Sequence, residues 1–314
     1  MNNLITNGVW PVVMTPFAGA DRVDWDAYDQ LIDWYIEQGC HGLFASCLSS
    51  ESLSMSAKNR ITLVERAVAR SAGRVPVVGG LMGCRSNEER IMMAKAMADG
   101  GSVAAVIPLG EVVQADASDA VWIETMQSFL EQVPDLSLGL YECPVPNHRM
   151  LTTQLTEFVV SAERFCFLKE TSCDPAEQSR KRDAGLAVGF KVFNAHAGTT
   201  LDSYQRGLHG YCGLQSNLWP DLHVKMFECR ESHPEVAVRI QGFCEEYNWA
   251  LARSYPASAK AFVGRRLGIK FPLLSFLNNA EVTAKDYDWL DQLYDDYTAF
   301  ADTVNSALKA STVA

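Results

Sequence analysis

Three short stretches hold residues able to do carbonyl chemistry. "FLKETSCD", Phe167 to Asp174, sets Lys169 at the end of an apolar run, although lysine is rarely found inside proteins. "GLYECP" ends a second apolar run with Tyr141, and "ASCLSSES" follows a third with Ser49 and Ser50. A lysine amine is mostly protonated in water, with a pKa of about 10.4, and apolar surroundings disfavour its charged form. A neutral amine attacks a ketone and forms an imine, which draws electrons from the adjacent carbon. A tyrosine within reach moves the protons, and serine hydroxyls with loop amides hold a carboxylate. The plainer alternative for Lys169 is a stem laid along a wall and paired with Glu170 or Asp174.

These residues are far apart in the chain, so the fold must bring them together. The strand-like runs are "GVWPVVMTPF", "GLFASC", "PVVGGLM", "VAAVIPL", "LSLGLYEC", "FCFLKET", "FKVFNA" and "YCGLQSN". Each is almost continuously apolar, as suits parallel strands covered on both faces. Amphipathic segments alternate with them. "DWDAYDQLIDWYIEQG" opens on acids and stops at Gly39, while Ser56 and Ser86 are placed to cap the next two helices. Eight alternations predict an α/β fold, a (β/α)8 TIM barrel, with a doubly wound open sheet as the alternative. After about Pro220 the strand signal disappears. The expected division is therefore a barrel over residues 1–222 and a C-terminal helical extension over 223–314. Barrel enzymes work where strands end and loops begin, which puts Lys169, Tyr141 and Ser49 at one mouth.

The 314 residues carry a formal net charge of -11, against a non-specific grip on nucleic acid. No leader-like N-terminus and no long apolar run is apparent, so no membrane partner is expected. The nine cysteines form no C-x-x-C pair, which fits a reduced cytoplasmic chain without a zinc knuckle. No His, Asp and Glu cluster has metal-ligand spacing, and no Gly-rich loop fits a nucleotide motif, so neither metal nor cofactor is expected. "VVGG" reads as close packing in the third strand. Glu51, Glu142 and Glu170 near strand ends leave a carboxylate-pair glycosidase as a competing idea. His148 and Arg149 are candidates for the variable end of a substrate. His196 either touches substrate or caps a turn.

With these residues in hand, the chain resembles the dihydrodipicolinate synthase and N-acetylneuraminate lyase family of class I aldolases. "CLSSES" stands where that family has G-T-T-G-E-S, "LYECP" where it has Y-N-x-P, and "FLKET" where it has the Schiff-base lysine. "GLHGYCGLQSNLWP" is similar to the eighth-strand segment and puts Cys212 among the substrate-binding positions. "YPASAKAFVGRRLGI" is similar to a C-terminal helix motif. The resemblance implies Lys169 as the imine-forming residue and Tyr141 as the proton relay. It implies Ser49 and the amides near Ser49 and Ser50 as carboxylate holders for a pyruvate-type 2-oxo acid, with an aldehyde as second substrate. A homo-oligomer, tetramer or dimer, is implied too.

Departures redirect the expectation. Leu48 stands where the synthases carry a hydroxyl of a proton-relay triad. Cys47 and Ser50 replace glycines, so the loop must avoid or tolerate positive φ. Leu109 and Gly110 supply no second tyrosine, and Arg149 is displaced from the arginine that holds a second carboxylate. The expected activity is therefore a lyase of this family rather than true dihydrodipicolinate synthesis. A barrel that has lost catalysis and only binds 2-oxo acids is the further alternative.

Overall fold

The computed structural model describes residues 4–277 and 280–310. Eight parallel strands form one sheet: β1 (Gly8–Val9), β2 (Leu43–Ala45), β3 (Val77–Gly80), β4 (Ala104–Pro108), β5 (Leu138–Tyr141), β6 (Phe165–Glu170), β7 (Lys191–Asn194) and β8 (Gly210–Tyr211). Every strand pairs with its sequence neighbour from β2 through β8, and β8 then pairs with β1. The ring closes through a parallel bridge between Val12 and Phe44. The chain is thus a (β/α)8 barrel. An open doubly wound sheet would reverse its strand order, which this sheet does not do. The first apolar run yields only a two-residue strand because Pro11 has no N–H to give. Its carbonyl still accepts from Phe44 N at 2.9 Å, and Val13 N donates to Phe44 O at 3.0 Å, so the seam holds around the proline.

Helices α1 (Trp25–Glu37), α2 (Ala57–Ser71), α3 (Asn87–Asp99), α4 (Asp119–Gln132), α5 (Thr153–Ser161), α6 (Pro175–Gly185) and α7 (Thr200–Gln205) alternate with the strands. The expected caps are in place: Ser56 accepts from Asn59 N at 3.3 Å and Ser86 from Glu89 N at 3.2 Å. A short hairpin, Phe17–Gly19 with Arg22–Val23, precedes α1. It went unseen because two- and three-residue strands leave no periodicity to read. The expected division after residue 222 falls inside α8 (Pro220–Cys229), which packs against β1. Beyond it, α9 (Pro234–Glu246), α10 (Ala257–Leu267) and α11 (Asp286–Ala310) pack on one another. Among the described residues no helix is long and apolar enough to cross a membrane.

Side chains alternate across the barrel wall. On β6, Phe167 and Lys169 face the interior, while Leu168 joins the large core under the helices. The floor of the barrel is aromatic. Phe167 stacks on Phe193 at 4.8 Å, and Trp10 and Phe44 meet Phe167 at 5.7 and 5.9 Å. Such pairs add about 0.5–1.5 kcal/mol each beyond the area they bury. "VVGG" is close packing, as expected: a Cβ on Gly80 would lie 2.2 Å from Ser46 O.

Candidate active site

Lys169 and Tyr141 are register partners across β5 and β6, so the sheet itself brings them together. Both are nearly buried, at 3% and 4% exposure. The Lys169 Nζ lies 4.4 Å from the centre of the Tyr141 ring and 5.9 Å from that of Phe44. No carboxylate among the described residues pairs with it, so the wall-paired alternative fails. Its surroundings are Tyr141, Phe44 and the buried thiols of Cys143 and Cys212, on both of which its charge acts. Burial pushes the Tyr141 phenol well above the usual tyrosine range, and Cys143 and Cys47 add to this. The phenol therefore stays protonated, with its O–H available as a hydrogen-bond donor. Burial also pushes the Cys212 thiol up to about 12, against the opposing pull of Lys169, so this sulfur is inert.

A cavity of about 650 Å³ opens beside the pair. Tyr141 and Ser49 line it, together with Leu48, Leu214, Tyr255 and residues of the C-terminal region. Lys169 is not among the lining residues; it contacts the ring of Tyr141, which is. The Leu48 and Ser49 N–H groups meet no acceptor among the described residues. Two free amides on a tight loop, next to a serine hydroxyl, suit a carboxylate.

Ser50 is placed differently. Its hydroxyl donates to Val13 O at 2.5 Å and accepts from Cys47 N at 3.0 Å, and its own N–H donates to Cys47 O. Its carbonyl accepts from Thr15 Oγ1 at 2.7 Å. Ser50 therefore builds the loop, and its polar groups do not reach the cavity. The loop also avoids positive φ at Cys47 and Ser50, moving it to Ser46 (φ 54) and Glu51 (φ 58). Each such residue costs about 1–3 kcal/mol. Glu51 offsets this through an ion pair with the buried Lys260 at 2.6 Å and by accepting from Leu277 N at 3.0 Å.

Arg149 and His148 are corrections as well. The Arg149 guanidinium donates to Asp119 Oδ1 and Ala117 O, both at 2.8 Å, and so ties the loop after β5 to the start of α4. His148 is exposed and bonds Thr171 Oγ1 at 2.7 Å. Neither residue lines the cavity. Cys212 is fully buried and does not line the cavity. His196 opens a turn, its carbonyl accepting from Thr199 N at 3.3 Å and its ring nitrogen 3.2 Å from Thr199 Oγ1. Gly110 has no room for a tyrosine, because a Cβ there would meet Asn147 O at 2.1 Å.

Two features escaped the sequence reading. Tyr255, inside the "YPASAK" motif, lines the cavity together with Ser49. Its phenol accepts from Asn217 Nδ2 at 2.9 Å, and Tyr35 donates to Asn217 Oδ1 at 2.5 Å, so Asn217 joins the two phenols. The second is Lys181 on α6. It is fully buried and bonds Glu142 Oε1 at 2.6 Å and Glu170 Oε1 at 2.8 Å. These are the acids next to Tyr141 and Lys169, turned to the outer face of the wall. Burial pushes Glu142 up. For Glu170 the same burial is outweighed by Lys181, Ser172 and Gln178, which bring it below the usual carboxylate range. The glycosidase idea ends here, since both carboxylates are neutralised outside the cavity.

A buried, carboxylate-free lysine at the strand ends of a (β/α)8 barrel, beside a phenol and two free loop amides, defines the class: a barrel enzyme of the lyase type. The comparisons carry this further. The model of the Dihydrodipicolinate synthetase family matches residues 5–262, and the chain belongs to that family. A 4-hydroxy-tetrahydrodipicolinate synthase of Cellvibrio japonicus is 30% identical over 221 residues, covering 70% of this chain and 74% of the relative. In fold, the chain is similar to the Ruminococcus gnavus sialic acid aldolase, solved as a catalytic lysine mutant. That match has a TM-score of 0.83 at 16% identity, over 97% of each chain. It is also similar to YagE of E. coli K12, a prophage protein solved in complex with pyruvate. There the TM-score is 0.82 at 20% identity, over 92% of this chain and 98% of that one.

Proposed function

We propose that the protein is a Schiff-base (class I) aldolase acting on pyruvate or a pyruvate-derived 2-oxo acid. The Lys169 amine attacks the keto carbon, water leaves, and an imine forms. A proton leaves the adjacent methyl carbon, giving an enamine whose carbon attacks an aldehyde. The aldehyde oxygen takes a proton delivered through Tyr141, and water then hydrolyses the imine to release product and free amine. The reverse sequence is a cleavage. Ser49 with the Leu48 and Ser49 amides holds the carboxylate of the 2-oxo acid. The observation that carries this reading is Lys169: buried, beside a protonated phenol, and without a carboxylate partner.

True 4-hydroxy-tetrahydrodipicolinate synthesis, the activity named for the curated relatives, is the second reading. It is favoured by Tyr255, whose phenol lines the cavity with Ser49 and offers a hydroxyl that Leu48 does not. Against it stand the closed position at Gly110 and the engaged Arg149. Family membership supports a homo-oligomer, tetramer or dimer, working in the cytoplasm. Borohydride reduction in the presence of pyruvate, followed by peptide mass mapping, tests the proposal. A reduced pyruvate adduct on the Lys169 peptide is expected. An unmodified Lys169 across a panel of 2-oxo acids would leave a binding protein instead.

A further inference from the structure

We infer that Lys260, on α10, is a positioning residue for the 2-oxo acid: acting through Glu51, it aims the two carboxylate-holding amides without touching substrate. This rests on the imine reading and on the Leu48 and Ser49 amides as the carboxylate site. Neither Lys260 nor Glu51 is among the residues that line the cavity.

The direction of each free amide is set from behind. In a trans peptide the carbonyl and the N–H point opposite ways in one plane. The Leu48 carbonyl accepts from Glu51 N at 2.9 Å, so the Ser49 N–H of the same peptide faces away from Glu51. The Cys47 carbonyl accepts from Ser50 N at 3.1 Å, which turns the Leu48 N–H in the same manner. Both amides therefore depend on where the backbone of residues 50 and 51 stands. Glu51 has φ 58, in the left-handed region, where a non-glycine residue persists only if its surroundings hold it. Here its own carboxylate provides the hold. Oε1 lies 2.6 Å from Lys260 Nζ, with both side chains buried, and Oε2 accepts from Phe276 N and, at 3.0 Å, from Leu277 N. Lys260 also donates to Leu274 O at 2.7 Å. Its Nζ lies 5.0 Å from the centre of the Phe17 ring, which the Phe276 ring meets edge-on at 5.0 Å. Leu277 lines the cavity together with Leu48 and Ser49. One buried ion pair thus fixes two walls of the cavity, the amide loop and the segment 274–277. Without Lys260 the Glu51 carboxylate is an unpaired buried charge, drawn toward water. The left-handed turn then loses its hold, and the Leu48–Ser49 peptide is free to rotate away from substrate.

Deuterium uptake at the pyruvate methyl in D2O tests this with no aldehyde present. The imine loses a methyl proton to give the enamine, the enamine carbon takes a deuteron from solvent, and hydrolysis returns labelled pyruvate and free amine. Lys260→Met is expected to raise the pyruvate KM for exchange by roughly tenfold or more, the loss of one hydrogen bond to a charged group, with kcat within about threefold. The borohydride-trapped adduct on Lys169 should still reach its unaltered level at saturating pyruvate. The double variant Glu51→Gln/Lys260→Met strands no charge and decides the matter if the single variant does not fold; a rise in KM of about fivefold or more is expected of it. A KM that rises by less than about threefold in the folded variant, or a loss confined to kcat, overturns the inference and leaves Lys260 a stability residue alone. A trapped adduct in the unaltered protein keeps the imine reading in that case. Absence of both adduct and exchange in the unaltered protein overturns the two together.

Discussion

The inner and outer faces of one strand end treat a buried lysine in opposite ways. Outside the barrel wall, Lys181 meets two carboxylates, Glu142 and Glu170, within 2.8 Å. Inside it, Lys169 meets aromatic rings and thiols and no carboxylate. The two acids follow Tyr141 and Lys169 directly in sequence, so the pleat alone sorts paired charge outward and the unpaired amine inward. A lysine clamped by two acids is held in its ion pairs and serves structure. An amine with no carboxylate on it is left to meet a ketone.

The contrast breaks most sharply at Lys169. Lys169→Met is expected to lower turnover by roughly a thousandfold or more, some 4 kcal/mol of barrier, with the denaturation midpoint unchanged or raised. A variant retaining full turnover would rule out covalent catalysis there. Lys181→Met is expected to do the reverse and cost about 3–5 kcal/mol of stability in urea titrations, because two buried carboxylates are stranded. Combining it with Glu142→Gln and Glu170→Gln should recover most of the loss. A cost below about 1 kcal/mol for the single change would show that the outer cluster is not the clamp described here.

A smaller effect sharpens the inner face. Leu48→Thr restores a hydroxyl to the cavity, and pyruvate affinity by calorimetry is expected to rise roughly tenfold or more, the worth of a hydrogen bond to a charged group. An unchanged affinity would mean that position 48 faces away from the carboxylate. A last effect lies in the helical layer. His223 stacks on Tyr211 at 4.1 Å, and burial pulls its pKa down to about 3. The unfolded chain takes up a proton near pH 6.5 while the folded one does not. Stability is therefore full above that pH and falls as pH drops toward 3, by about 2 kcal/mol at pH 5 from this residue. His223→Phe should flatten that part of the pH–stability curve, and an unaltered slope would assign it to other groups.

What was legible in the sequence follows from the range of the forces involved. Continuous apolar runs ending in Tyr141 and Lys169 told both the parallel strands and the pairing of those residues, because neighbouring strands of a barrel end at the same mouth. Ser56 and Ser86 were readable because a cap is settled within three residues. Lys181 was not, since its partners depend on which way α6 turns a side chain toward two strands. Tyr255 lines the same cavity as Ser49 although about two hundred residues separate them, and no local pattern reports that. Arg149 illustrates the limit from the other side: its position near a strand end was right, but a competing acid, Asp119, took it.

The Glu51 tie to Leu277 spans 226 positions of the chain. Contacts that long form late, since so much loop entropy must be surrendered first. A nascent barrel emerging from the ribosome would have its lysine and phenol in register long before its pocket has a roof. The last quarter of the polypeptide, which contributes no reacting atom, thus decides when the protein becomes an enzyme.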